Sequence, residues 1–169
     1  MRTTDEALRT VNKSPAAGTS ERLRFEARQR RGTDLGLLLL RLLAGPALAF
    51  AHGVNKLPPS DRFVAGVVEM GFPAPAFFAW AAGFAEFGGG LLLALGLLTR
   101  PAAFLILFTM CVAWFVRQAG DPFTEREAAM LYGGVALLYL VAGAGRFSLD
   151  ALLDRHFPTL FRQRTNTAG

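Results

Sequence analysis

Two charged residues stand alone in apolar sequence. Glu86 is the single carboxylate in the run from Pro75 to Leu98, and Arg41 is the single cation in the run from Leu35 to Ala51. A charge in hydrocarbon is costly even on lenient insertion scales, so it must be paired or face a wet cavity. A carboxylate in such a cavity can exchange a proton or receive a polar head group. A guanidinium, imidazole or ammonium beside it can bind oxygens. His52 and Lys56 follow Arg41 at the far end of the first run and supply the last two of these.

Helical periodicity joins the cations. Residues eleven apart fall nearly in line, since eleven steps of ~100° make about three turns. Arg41 and His52 have that spacing, and Asn55 and Lys56 fall close to the same line. Glu86 lies at the middle of its run, beyond the reach of snorkelling, and Gly83 and Gly90 share its side of the helix. Small residues let another helix backbone approach closely. Arg41 and Glu86 are therefore expected within salt-bridge or one-water distance, their Cα atoms differing in height by about 8–9 Å. His52, Lys56 and Glu86 are expected to border one polar cavity open toward the non-cytoplasmic side, with Asn55, Tyr132 and Tyr139 as further lining candidates. The plainer alternative is a buried ion pair that only specifies which helix packs on which.

The elements that position these residues read as membrane helices. Of 169 residues, 52% are apolar and only 18% charged, and the charges collect at the two ends and in two loops. This pattern predicts an all-α, four-transmembrane-helix bundle, with spans near 35–52, 75–98, 101–117 and 127–145. Ser60 is placed to cap a short interfacial helix containing Phe63, Val64, Val67 and Val68. Thr124 and Glu127 have the spacing of a capping box, and Ser148 is placed to cap a last amphipathic helix. The domain reading is a basic, largely disordered tail over 1–33, a membrane domain over 34–146 and an amphipathic segment and tail over 147–169. Ser20 is a candidate cap for a short helix within that first tail.

Charge sets the expected orientation. The N-tail, the Arg100 turn and the C-tail carry eight, one and four Lys or Arg, thirteen in all, against four on the opposite side. The positive-inside rule then places both termini in the cytoplasm of a multi-pass inner-membrane protein. The net charge of +5 follows from this topology, because the basic residues have no interleaved aromatic surface for nucleic acid. A lone Cys111 excludes an intrachain disulfide and a cysteine-held cluster. Two histidines on opposite sides cannot both hold one haem. No metal or covalent cofactor is expected.

Several short motifs in this order resemble the DoxX family. They are Arg41-Leu-Leu, His52-Gly-x-x-Lys56-Leu, Gly71-Phe-Pro-Ala-Pro, Ala85-Glu86-Phe-Gly-Gly, Gly96-Leu-Leu-Thr-Arg100 and Gly145-Arg-Phe-Ser-Leu-Asp150. The resemblance covers about residues 35 to 155. It implies a four-helix membrane protein whose recurrent polar positions are Arg41, His52, Lys56 and Glu86. Some related members are subunits of a thiosulfate:quinone oxidoreductase, and others accompany redox or oxidative-stress proteins.

Three functions fit these observations. The first is a membrane subunit of a redox-linked assembly, anchoring other subunits and offering a quinone a polar pocket, with no catalysis by the chain alone. The second is a non-catalytic binder or transporter of a lipid or small molecule. The third is a structural accessory subunit in which Arg41 and Glu86 lock the packing.

Overall fold

The computed structural model describes residues 15–156, with side-chain surroundings from residue 19 onward. Among the described residues the structure is entirely helical. The chain divides into two units, 1–36 and 37–169.

In the first unit, helix α1 (Pro15–Ala47) begins at a proline, whose missing N–H is no loss in a first turn. The part of the expected disordered tail from 15 to 33 is therefore helical, and Ser20 lies inside the helix rather than capping it. Leu, Ala, Arg and Glu are strong helix formers, and Arg22–Glu26 and Glu26–Arg30 are spaced for i,i+4 attraction. The remainder of that tail, residues 1–14, lies outside the described residues.

In the second unit α1 does not stay regular. Pro46 removes an N–H from the ladder, and the chain then widens into a π-helical turn at Leu48–Gly53 and a 3-10 turn at Val54–Lys56. Helix α2 (Asp61–Glu69) starts where expected, with Ser60 Oγ accepting from the Phe63 N–H at 3.2 Å. Helix α3 (Pro75–Leu95) ends three residues before the expected boundary. Gly96 there takes φ +66, and its N–H and that of Leu97 return to the carbonyls of Leu93 and Leu92. Helix α4 (Thr99–Val112) continues through a π-helical turn at Ala113–Arg117. Helix α5 (Phe123–Ala142) begins before Thr124, so the expected capping box does not form. Helix α6 (Leu149–His156) is capped by Ser148, whose Oγ accepts from the Ala151 N–H at 3.1 Å. Residues 157–169 of the expected C-terminal segment lie outside the described residues.

Glycine decides how closely α1 and α3 meet. A Cβ on Gly45 would stand 2.6 Å from the Gly90 carbonyl oxygen, and one on Gly90 would stand 2.7 Å from that of Gly45. The two backbones therefore touch. The core beside this crossing holds Leu48, Leu93, Ala103, Ile106, Ala136 and Tyr139, all at most 2% exposed. Leucines and phenylalanines cover much of the outside, as lipid contact requires, with Leu43 at 73% and Phe115 at 70% exposure.

Among the described residues, three helical stretches are long and apolar enough to cross a membrane: Thr19–Lys56, Pro75–Leu95 and Thr99–Arg117. The expected fourth does not reach that standard. Glu125, Arg126 and Glu127 occupy the start of α5, and its uncharged remainder covers only about 22 Å against a hydrocarbon core of ~30 Å. The helix still packs along α4, and Arg126 stacks 4.0 Å over the Trp114 ring while donating to the Trp114 carbonyl at 3.0 Å.

Candidate functional site

The predicted Arg41–Glu86 pair does not form. Glu86 pairs instead with Lys56, Nζ to Oε1 at 2.5 Å. Arg41 donates to the backbone carbonyls of Ala144, at 3.4 Å, and Phe147. Side-chain direction is the physical reason, because a helical Cα–Cβ bond tilts toward the N-terminus of its own helix. Arg41 on α1 therefore leans away from Glu86, toward the end where α3 finishes. Lys56 leans back down α1. Glu86, on the oppositely running α3, leans up toward it.

Small residues on α3 bring Lys56 within reach. A Cβ on Gly83 would meet Leu57 Cδ2 at 2.6 Å, and one on Gly53 would overlap the Phe87 backbone. The end of α1 thus lies directly on α3, one helical turn from Glu86. The carboxylate is 3% exposed and the Lys56 side chain 31%. Glu86 Oε2 is buried with no hydrogen-bond partner. An unmet buried acceptor of this kind is costly, and half of the Glu86 carboxylate is left in that state.

Lys56 and Glu86 line an open cavity of about 440 Å³ bordered by α2, α3 and α4. Its walls are mostly apolar, with Phe63, Val67, Phe72, Phe78 and Phe108 among them. That volume falls within the range of ~300–1,000 Å³ typical of small-molecule sites, and apolar walls with a few placed polar groups are their usual composition. Chemically, Lys56 can donate to a ligand oxygen, while Oε2 can accept from a ligand hydroxyl or carry a proton.

The other expected site residues lie elsewhere. His52 packs edge-on against Tyr132, ring centres 5.4 Å apart, and neither lines the cavity. The π-helical turn takes more residues per revolution than an α-helix, so the eleven-residue alignment of Arg41 with His52 is lost across it. Asn55 donates to the Ala51 carbonyl of its own helix at 3.0 Å. Tyr139 is fully buried and donates to the Leu37 carbonyl, near the Arg41 end.

Two groups of residues gain roles that the sequence did not reveal. Arg62 and Arg117, read from the sequence only as topology markers, both line the cavity. A helical phase of Phe63, Gly66 and Val67 on α2, continued by Met70 just after it, was the available signal for that wall. At the opposite end Asp150 accepts from the Leu98 and Thr99 N–H groups at 2.8 and 3.0 Å, capping α4 from fifty residues away. Ser148 and the Arg41 guanidinium fill the space that a Cβ on Gly96 would need.

Comparison with known proteins agrees with the membrane reading. Residues 36–119 match the DoxX family. The chain is 31% identical over 140 residues to the uncharacterized membrane protein Rv3486 of Mycobacterium tuberculosis, covering 70% of this chain and 82% of the relative. It is 30% identical over 132 residues to the inner membrane protein YqjF of Escherichia coli, covering 72% and 95%. No solved structure matches. A helical chain with several apolar spans, matched by membrane proteins across most of their length, is a multi-pass integral membrane protein that belongs to the DoxX family.

Proposed function

We propose that this protein is a membrane-embedded binding subunit that holds an amphiphilic small molecule in the α2–α3–α4 cavity. The observation that carries this reading is the buried Glu86 carboxylate, paired on one oxygen and unmet on the other, at an apolar cavity of ligand size. In this reading α1, α3, α4 and α5 all cross the bilayer and both termini face the cytoplasm. The Trp114 carbonyl and ring hold the Arg126 charge at the end of α5, which supports the fourth crossing.

A redox-linked role is the second reading, and the same pair favours it. A quinone carbonyl would accept from Lys56, and Glu86 could pass a proton to or from the quinol hydroxyl. Oxidation or reduction would come from partner subunits anchored by this one.

Purification in mild detergent followed by native mass spectrometry tests the proposal. A bound molecule is expected, and Glu86→Gln should lower its occupancy by about tenfold, the loss of one charge-assisted contact. An empty wild-type chain, or full occupancy in the variant, would leave the pair as a packing lock and the protein as a structural accessory. Co-purification of a quinone together with oxidoreductase subunits would select the second reading. Another ligand in their place would sink it.

A further inference from the structure

The cavity is charged as well as apolar. Its lining holds three cations, Lys56, Arg62 and Arg117, against the single carboxylate Glu86. Lys56 is committed to Glu86, which leaves two arginines in excess. No carboxylate lies in salt-bridge range of Arg62 or Arg117 among the described residues, and both are exposed. They come from different elements yet converge. A Cβ on Gly66 would stand 3.9 Å from Arg117 Nε, and Arg62 precedes Gly66 by one turn on the same face of α2. The Arg117 side chain therefore lies against α2 at Gly66, one turn from Arg62.

Depth separates the two polar ends. Arg117 ends its span, whereas Glu86 lies at mid-helix on α3. Thr109, on the cavity wall of α4, is eight residues before Arg117, about 12 Å lower. Phe63, Phe72, Phe78 and Phe108 supply apolar wall in the same cavity. Guanidinium groups at a span end sit at headgroup depth and bind phosphate or carboxylate through paired N–H donors.

Building on the binding reading above, we propose that the occupant is a single-chain amphiphile with an anionic head, its phosphate or carboxylate held by Arg62 and Arg117 and its chain running inward toward Glu86. One chain suits a cavity of about 440 Å³. The unmet Glu86 oxygen at the inner end favours a chain or linker that carries a hydroxyl.

The full-length protein in neutral detergent is titrated with 1-palmitoyl lysophosphatidic acid, with monopalmitin, which has the same chain and no phosphate, and with inorganic phosphate. Lysophosphatidic acid should bind at least about tenfold more tightly than monopalmitin, the worth of one charge-assisted contact. In R62Q/R117Q that preference should fall to about threefold or less while monopalmitin affinity stays unchanged, which also shows that the variant is folded. Equal binding of the two lipids by the wild type would overturn the anionic head and leave the binding reading standing. Saturable binding of neither would overturn both. Displacement of the lipid by millimolar inorganic phosphate would overturn the lipid source in favour of a soluble anion.

Discussion

The two ends of the helical unit treat their buried charges differently. At one end Arg41, 2% exposed, donates to two backbone carbonyls, and Asp150 closes the same corner by capping α4. The Asp150 N–H also returns to the Gly96 carbonyl at 2.9 Å, so this corner is knitted from three chain segments. At the other end Glu86 is equally buried but meets only one partner, and an open cavity adjoins it. A charge whose contacts are backbone carbonyls fixes the path of the chain. A charge left with a free oxygen beside a cavity is available to a ligand. Arg41 Nε is likewise buried without a partner, so neither burial nor an unmet atom separates the two charges. The ligand-sized cavity that Glu86 lines and Arg41 does not is what sets them apart.

The largest expected effect comes from breaking the closed end. Arg41→Met leaves the Ala144 and Phe147 carbonyls without their donor and should lower stability by ~3 kcal/mol, an unmet buried acceptor being worth roughly 1–3 kcal/mol. Thermal unfolding in detergent measures it, and an unchanged Tm would show that the knot is decorative. At the open end the asymmetry should appear within one ion pair. Lys56→Met strands a carboxylate and should destabilise by about 2–3 kcal/mol, softened because Lys56 is partly exposed. Glu86→Gln leaves only a solvent-reaching ammonium and should change stability by less than ~1 kcal/mol while reducing ligand occupancy. Equal destabilisation by the two variants would make this end as structural as the other.

Smaller effects sharpen the comparison. Asp150→Ala removes a side-chain cap and should destabilise by ~1 kcal/mol, the usual worth of such a cap, with ligand binding unaffected. Arg62→Gln should leave stability within ~0.5 kcal/mol of wild type, as surface substitutions do, and act only on binding. Cysteines introduced at Thr3 and Thr165 should both label from the cytoplasmic side in intact cells, and opposite-side labelling would remove the fourth crossing.

Much of the fold was legible in the sequence because membrane helices announce themselves locally. Pro75, the apolar run after it and Gly96 delimit α3, and Ser60 and Ser148 cap the helices that follow them. The failures share a cause. The capping box at Thr124 was displaced because α5 starts at Phe123, two residues before a Thr124 cap would allow, where Phe123 packs against Trp114 at 6.1 Å between ring centres. The polar stripe assumed one unbroken helix, and Pro46 with the π-helical turn broke it.

By itself the sequence determined that Arg41 and Glu86 must be buried and met, because hydrocarbon on either side in the chain leaves an isolated charge no other stable state. It also determined where the glycines lie that allow α1 and α3 to touch. Only the tertiary structure decided which partner meets which charge. Side chains lean toward the N-terminus of their own helix, so the antiparallel course of α1 and α3 sends Arg41 to the C-terminal turn and brings Lys56 to Glu86. Partner choice depends on helix direction and packing depth, and neither is written in the spacing of residues along one chain.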